Sequence, residues 1–147
     1  MRFKINNEPL CEALKVLNRV VPTRSTLPIL SCVLISSDGE KLHLRATDLE
    51  VSLEFSLPAK VSDPVNIAIP ISKILSICSS LTTEDLSFSI EGSKVEIKTG
   101  FGEYKIMGQS PEDFPEKIKI KENQNILFNS KKIMDLIEYT ISSTSTD

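Results

Sequence analysis

The sequence is poor in several residue types, and each shortage excludes a class of protein. Five glycines among 147 residues provide no glycine-rich loop of the kind that cradles nucleotide phosphates. His43 is the single histidine, and the sequence alone assembles no Ser/His/Asp set around it. The three cysteines are far apart, which argues against a disulfide framework and against a Cys-x-x-Cys metal site. We expect Cys11, Cys32 and Cys78 to be buried thiols in a reducing cytoplasm.

Long apolar runs are missing as well. No stretch approaches the roughly 18 residues that suggest a membrane span, so we expect no membrane partner. The first five residues contain charges and are not typical of a signal peptide. The net charge of −3 and the pI near 5.3 argue against a nucleic-acid-binding protein. That argument is weak, because an acidic protein can still place its cations on one face.

A repeat of about 60 residues is visible in the hydrophobic pattern. Residues 3–21, 65–81 and 125–142 share one plan, a short strand that runs directly into an amphipathic helix. Chance alignment of strand-then-helix segments is the alternative explanation. When the segments are superposed, apolar residues coincide at three positions: Ile5, Ile69 and Phe128; Leu10, Ile74 and Ile133; Leu14, Cys78 and Ile137.

Sequence of the β type follows the first two helices. The apolar run 29–35 suits a buried strand, and Asp38-Gly39 marks a hairpin turn. Alternation of apolar and polar residues predicts further strands over 41–46, 51–57, 86–90, 95–97 and 101–107. Each half is therefore predicted as strand, helix and three-stranded meander. Two halves make an antiparallel α+β domain with its helices on one face of the sheets.

The predicted helices have apolar stripes on one side and polar residues of mixed sign on the other. Such mixed faces are by themselves ordinary solvated surfaces. The buried stripes are Leu10, Ala13, Leu14 and Leu17 in the first helix, Ile74, Cys78 and Leu81 in the second, and Ile133, Ile137 and Ile141 in the third.

Three motifs, in order and correctly spaced, carry a resemblance to a known family. The segment Arg24-Ser25-Thr26-Leu27-Pro28-Ile29-Leu30 resembles the Arg-x-Thr-Leu-Pro-Ile-Leu stretch of bacterial sliding clamps, the ring-shaped beta subunits of DNA polymerase III. Thr47-Asp48-Leu49-Glu50 is similar to the strand-ending turn of that family, and Asp113-Phe114-Pro115 to the close of its first domain. The resemblance covers essentially the whole chain.

The resemblance implies the DNA-clamp fold, with antiparallel sheets outside and helices on the inner face. It implies a non-catalytic processivity factor without a cofactor, which encircles duplex DNA as a homodimer ring and tethers the replicative polymerase during DNA replication. Nucleotidyltransferase activity would belong to the polymerase holoenzyme. We expect residues 1–118 to be the first clamp domain and 119–147 to be a linker with the start of a truncated second domain. The pocket for polymerase and clamp-loader peptides would then lie outside this chain.

The resemblance also implies site residues. The family uses the arginine at the position of Arg24 to touch DNA without reading sequence, and a solvent-exposed loop arginine is the alternative. Lys15, Arg19 and Lys73 are weaker candidates for DNA contacts.

The implied subunit interface is the strand at 101–107, with Tyr104 and Ile106 as apolar contacts. Lys73, Lys94 and Lys98 would supply charge there. Phe101 and Glu103 stand where the family often has arginine, so the charge pairing departs from the family pattern.

Two rival functions come from other classes. Asp48, Glu50 and Asp63 could surround a metal in a small hydrolase or nuclease, although no phosphate-binding loop accompanies them. A generic oligomerisation module without a DNA partner is the second rival. Retention on circular DNA that is lost on linear DNA would separate the clamp from both.

Overall fold

The computed structural model describes residues 1–82, 85–117 and 127–145. The chain divides into two compact units, Met1–Glu116 and Lys117–Asp147. The first half of unit 1 contains β1 (Arg2–Asn6), α1 (Asn7–Leu17), β2 (Cys32–Ser37), β3 (Lys41–Thr47), β4 (Ser52–Pro58) and β5 (Lys60–Val61). Its second half contains β6 (Asn66–Pro70), α2 (Ile71–Ser79), β7 (Asp85–Glu91), β8 (Lys94–Lys98) and β9 (Glu103–Met107).

The two halves of unit 1 exchange their first strands. Sheet A has the order β5-β1-β7-β8-β9, and sheet B has the order β4-β3-β2-β6. β1 pairs antiparallel with β7 of the second meander, which places Phe3 opposite Phe88. β6 pairs antiparallel with β2 of the first meander, which places Ile69 opposite Val33. Neither half can therefore complete its sheet without the other.

The sequence repeat has a structural counterpart at the same spacing. Asn66 follows Arg2, and Ile71 follows Asn7, by the same 64 positions, so strand and helix begin in register in both halves. Asn6 ends β1 and caps α1, because its side chain accepts a hydrogen bond from the Glu8 N–H. Pro70 occupies the equivalent position before α2 and makes no side-chain cap.

One apolar core joins both sheets and both helices of unit 1. The rings of Phe3 and Phe88 stack at a centroid distance of 4.4 Å. The predicted stripe of α1 is buried throughout. In the second half Ile74 and Cys78 are buried, whereas Leu81 lies beyond the end of α2 and is only partly buried.

Three strand boundaries were predicted wrongly. Residues 28–31 form a 3-10 helix (Pro28–Ser31) because Pro28 has no N–H and favours a helical first turn, so β2 begins only at Cys32. Val51 belongs to a turn and is 50% exposed. Phe101 also precedes its strand, in a turn closed by the Thr99 N–H bond to the Gly102 carbonyl.

The second unit contains α3 (Ser130–Ile141), capped by the Asn129 side chain, which accepts a hydrogen bond from the Lys132 N–H. Its predicted stripe is largely uncovered, because Ile137 and Ile141 are 53% and 61% exposed. The predicted strand before α3 falls partly at 125–126, outside the described residues. Leu127 and Phe128, which are described, are exposed and belong to no strand.

Within the described part of the chain, no helix combines the length and the apolar character that a membrane-spanning helix requires.

Candidate functional site

The two helices of unit 1 are joined by a buried polar side chain. Asn7, at the start of α1, is 3% exposed. Its Nδ2 donates to the carbonyl oxygens of Cys78, in the last turn of α2, and of Leu81 and Thr82, just beyond it, at 3.0, 3.4 and 3.2 Å. Beside this contact the Cys11 Sγ lies 3.7 Å from the Ser79 Oγ. The sequence does not reveal this role of Asn7, because nothing in its local pattern distinguishes it from an ordinary first-turn residue.

The four cations proposed for DNA contacts are all exposed in the structure. Lys15 lies in the last turn of α1, and Lys73 lies in the first half of α2. Arg19 does not lie on the helix as predicted, because α1 ends at Leu17 and Asn18 is its C-cap. Among the described residues, none of these cations has a carboxylate within 4.0 Å.

The loop that carries Arg24 is held at its downstream end. The Leu27 N–H donates to the Ser25 Oγ at 3.0 Å, and the Leu30 N–H donates to the Leu27 carbonyl at 3.1 Å. The loop then enters the 3-10 helix, whose Ile29 and Leu30 are buried. Arg24 thus stands on an exposed loop whose exit is fixed by packing.

Among the strands of the described residues, β9 forms one edge of sheet A, with β8 as its single neighbour. The Gly108 N–H bonds to the Ser93 carbonyl and the Thr99 N–H to the Gly102 carbonyl, which fixes the hydrogen-bonding phase of this antiparallel pair. Bonded and non-bonded pairs alternate in such a ladder. The backbone N–H and C=O groups of Glu103, Lys105 and Met107 consequently point away from β8, where another strand could pair with them.

The side chains of the edge strand divide between the two faces of the sheet. Tyr104 and Ile106 are partly buried against the core, so they stabilise the strand rather than extend freely from it. The exposed apolar side chain is that of Met107, at 58%. Met107 was not among the predicted interface residues. Strand alternation does place it outward, because Tyr104 pairs with the buried Ile97 and faces the core, and Met107 is three residues further along the strand.

Charge along this edge is partly neutralised within the chain. The Lys98 Nζ lies 3.1 Å from Glu103, and the Lys105 Nζ lies 3.7 Å from Glu96. Hydrogen bonding and attraction from Glu103 raise the pKa of Lys98, and the same contact lowers the pKa of the Glu103 carboxyl. Lys94, opposite Met107 in the register, has no carboxylate within 4.0 Å among the described residues.

The carboxylates of the rival metal site serve a turn instead. The Asp48 Oδ1 accepts hydrogen bonds from the N–H groups of Val51 and Glu50, at 2.6 and 2.9 Å, and these bonds lower the pKa of Asp48. They support Leu49, a non-glycine residue at φ +83°. Within the described ranges, no group of three or more His, Cys, Asp or Glu side chains is arranged to hold a metal ion.

The structure assembles a Ser/His/Asp set that the sequence did not reveal. The Ser56 Oγ lies 2.9 Å from the Nδ1 of His43, and the His43 Nε2 lies 2.7 Å from the Asp38 carboxylate. The register of β3 and β4 explains it, because His43 and Ser56 are direct cross-strand partners. The Asp38 side chain is 61% exposed, so this set lacks the dry, preorganised surroundings on which a catalytic triad depends.

Comparisons with known proteins agree with this architecture. Residues 1–121 match the family model described as DNA polymerase III beta subunit, N-terminal domain. The chain is 32% identical over 142 residues to the beta sliding clamp of Pseudomonas aeruginosa, covering 95% of this chain and 39% of that protein. The chain therefore spans about 39% of the length of this curated relative.

Solved structures give the same result. The crystal structure of the DNA polymerase III subunit beta from Pseudomonas aeruginosa matches with a TM-score of 0.87 at 31% identity, covering 94% of this chain and 38% of that one. The DNA polymerase sliding clamp from Caulobacter crescentus matches with a TM-score of 0.90 at 28% identity, covering 100% and 40%. The α+β clamp fold predicted from the sequence is confirmed.

Proposed function

The chain belongs to the family of the DNA polymerase III beta subunit, N-terminal domain, and from this membership we propose that it forms part of a DNA sliding clamp. In this proposal a longer subunit closes into a homodimer ring around duplex DNA in the cytoplasm. The ring binds the replicative polymerase and the clamp loader through parts outside this chain. It has no catalytic activity of its own.

Beside the family membership, the structural observation that supports the proposal is a set of exposed cations on the two joined helices and on the loop that follows α1. Lys15, Lys73 and Arg24 are exposed and have no carboxylate within 4.0 Å in the described part of the chain. Scattered cations in a protein of net charge −3 suit a ring that slides, since its phosphate contacts must break and reform. Topological linkage, rather than affinity, would hold such a ring on DNA.

The open edge of β9 supports the ring in a second way. Three residues of this strand turn backbone donors and acceptors away from β8. Lys94 and Met107 lie next to each other at the same edge. We propose this edge, with Lys73, Lys94, Lys98, Tyr104 and Ile106, as the part of the subunit interface that this chain contributes. Tyr104 and Ile106 would act there by holding the strand against the core.

Processive synthesis tests the proposed function. The full-length subunit is added, with clamp loader, to its replicative polymerase on a primed circular template under single-encounter conditions. Products should lengthen many-fold with the subunit and shorten again when ring closure is blocked. Product lengths that do not depend on the subunit would contradict the proposal.

A further inference from the structure

Residues 108–116 form a strap that crosses from the edge of sheet B to its third strand. At one end Gln109 exchanges two backbone hydrogen bonds with Ala68 of β6, at 2.8 and 3.2 Å. Gly108 beside it approaches β6 so closely that an added Cβ would lie 2.8 Å from the Ile67 Cδ1. At the other end Arg45 of β3 donates a hydrogen bond of 2.7 Å to the Pro115 carbonyl.

Phe114, next to Pro115, anchors the same end of the strap and is 6% exposed. The guanidinium carbon of Arg45 lies 5.1 Å from the centroid of the Phe114 ring, within the range of a cation–π contact. The register of sheet B places Ala68, Leu34 and Arg45 in one cross-strand row. The side chains of this row therefore form the surface of sheet B against which the strap packs.

The same apolar cluster holds the end of the Arg24 loop. Phe114 is buried together with Ile29 and Leu30 in a cluster distinct from the main core. Ile29 and Leu30 belong to the 3-10 helix that follows the Arg24 loop. A chain of packed groups thus leads from Arg45 to Phe114, from Phe114 to the 3-10 helix, and from that helix to the loop.

We propose that Arg45 is a positioning residue for the Arg24 loop, acting through Phe114. This inference rests on the proposed function, in which Arg24 contacts DNA. Arg45 binds the strap in two ways at once, by a charge-assisted hydrogen bond to a carbonyl and by stacking on an aromatic ring. Without Arg45 the Phe114 ring loses the guanidinium that stacks on it, and the cluster of Phe114, Ile29 and Leu30 packs more loosely. Arg24 then samples more orientations than phosphate binding uses.

Amide hydrogen exchange on the full-length subunit tests the structural step. The N–H groups of Leu30 and Phe114 are both hydrogen-bonded, so both report on local opening. In Arg45→Ala their exchange should accelerate about tenfold, the loss expected for one charge-assisted hydrogen bond. The amide of Ile97 in β8 should be unchanged. Unchanged exchange at Leu30 and Phe114 would overturn the inference.

Equilibrium affinity for a short linear duplex across a salt series tests the functional step, with full-length Arg24→Ala, Arg45→Ala and the double variant compared with the parent. Linkage does not contribute on such a duplex, so the measurement reports phosphate contacts alone. Each single variant should bind more weakly and reduce the magnitude of the slope of log affinity against log salt, by about 0.9 for Arg24→Ala. The double variant should be no weaker than Arg24→Ala, because both changes remove the same contact. Additive losses, or an Arg45→Ala subunit that binds as tightly as the parent, would overturn the inference.

Two further outcomes separate this inference from the proposed function. If Arg24→Ala binds the linear duplex like the parent, the DNA role of Arg24 is wrong and the inference falls with it. If only Arg24→Ala weakens binding, the proposed function stands and the inference alone fails. If Arg45→Ala also loses protection at Ile97, the whole fold is destabilised, and Arg45→Lys is used as the test variant instead. Lysine keeps the positive charge but loses the planar stacking on Phe114. Arg45→Lys should then show a smaller effect of the same kind at Leu30 and Phe114.

Discussion

The side-chain nitrogen of Asn7 donates a hydrogen bond of 3.0 Å to the carbonyl oxygen of Cys78, 71 positions later in the chain. The same nitrogen reaches the carbonyls of Leu81 and Thr82. The last carbonyls of a helix have no partner inside it, so a buried helix end needs a donor from elsewhere. Asn7 adds a side-chain donor to the Cys78 carbonyl, which also accepts a hydrogen bond of 3.3 Å from the Leu81 N–H. The start of α1 is thereby tied to the end of α2.

Replacing Asn7 by alanine should destabilise the fold, because the start of α1 would lose its side-chain hydrogen bonds to the carbonyls of Cys78, Leu81 and Thr82. We expect a loss of about 1–3 kcal/mol in the free energy of unfolding. Urea denaturation measures it, with Asn18→Ala at an exposed position as the control, expected within about 0.5 kcal/mol of the parent. Equal stability of the two variants would show that the helix end is satisfied by other means.

Cys78 should make stability fall at alkaline pH. Burial, with the nearby Cys11, raises the pKa of Cys78 from 9.0 to about 12. An acid with a raised folded pKa stays protonated in the folded state while the unfolded state loses its proton, so folding weakens above pH 9. The slope from this group is at most about 1.4 kcal/mol per pH unit. Unfolding free energies from pH 8 to 11 should fall less steeply in Cys78→Val, and parallel curves would contradict this.

Ser56 should not behave as a catalytic nucleophile despite its hydrogen bond to His43. The carboxylate that pairs with His43, that of Asp38, is exposed to solvent, and solvation weakens the electrostatic support that a catalytic triad needs. A fluorophosphonate probe, with a serine hydrolase as positive control, should leave the native protein unlabelled. Labelling at Ser56 that disappears in His43→Ala would reopen the enzyme hypothesis.

Two proline substitutions test the hydrogen-bonding phase of the edge strand. The Lys105 N–H points to the open edge, so Lys105→Pro should fold with little loss of stability, as proline is tolerated at strand edges. The neighbouring Ile106 N–H faces β8, and Ile106→Pro should destabilise the fold by about 1–3 kcal/mol, because proline removes a ladder hydrogen bond. In the full-length subunit Lys105→Pro should weaken ring closure, measured by sedimentation. The reverse order of stabilities would mean that the phase is wrong.

Much of this architecture follows from sequence patterns, because the periodicity of apolar residues predicts helices and strands without knowledge of distant contacts. The repeat that superposed Ile5 on Ile69 matches the common 64-residue offset of strand and helix. Alternation over Leu42, Leu44 and Ala46 correctly placed those residues in the core. The resemblance of the Arg24 segment led to the family that the comparisons bear out.

What the sequence could not show depends on contacts between distant segments. The exchange of β1 and β6 is one such feature, since a strand pattern does not name its partner. Arg45 is another, because its position on a half-buried strand predicted exposure, whereas its partners lie 69 and 70 residues away at Phe114 and Pro115. Asp38, His43 and Ser56 meet only through hairpin register. The DNA and interface residues remain predictions.

Retention on DNA of different topology tests the central claim most directly. The full-length subunit is loaded onto nicked circular duplex, free protein is removed, and the bound fraction is followed before and after one restriction cut. A ring held by linkage should stay on circular DNA for many minutes and leave within seconds after the DNA is cut. Blocking both ends of the linear DNA should prevent this loss. Equal dissociation from circular and linear DNA would contradict the account.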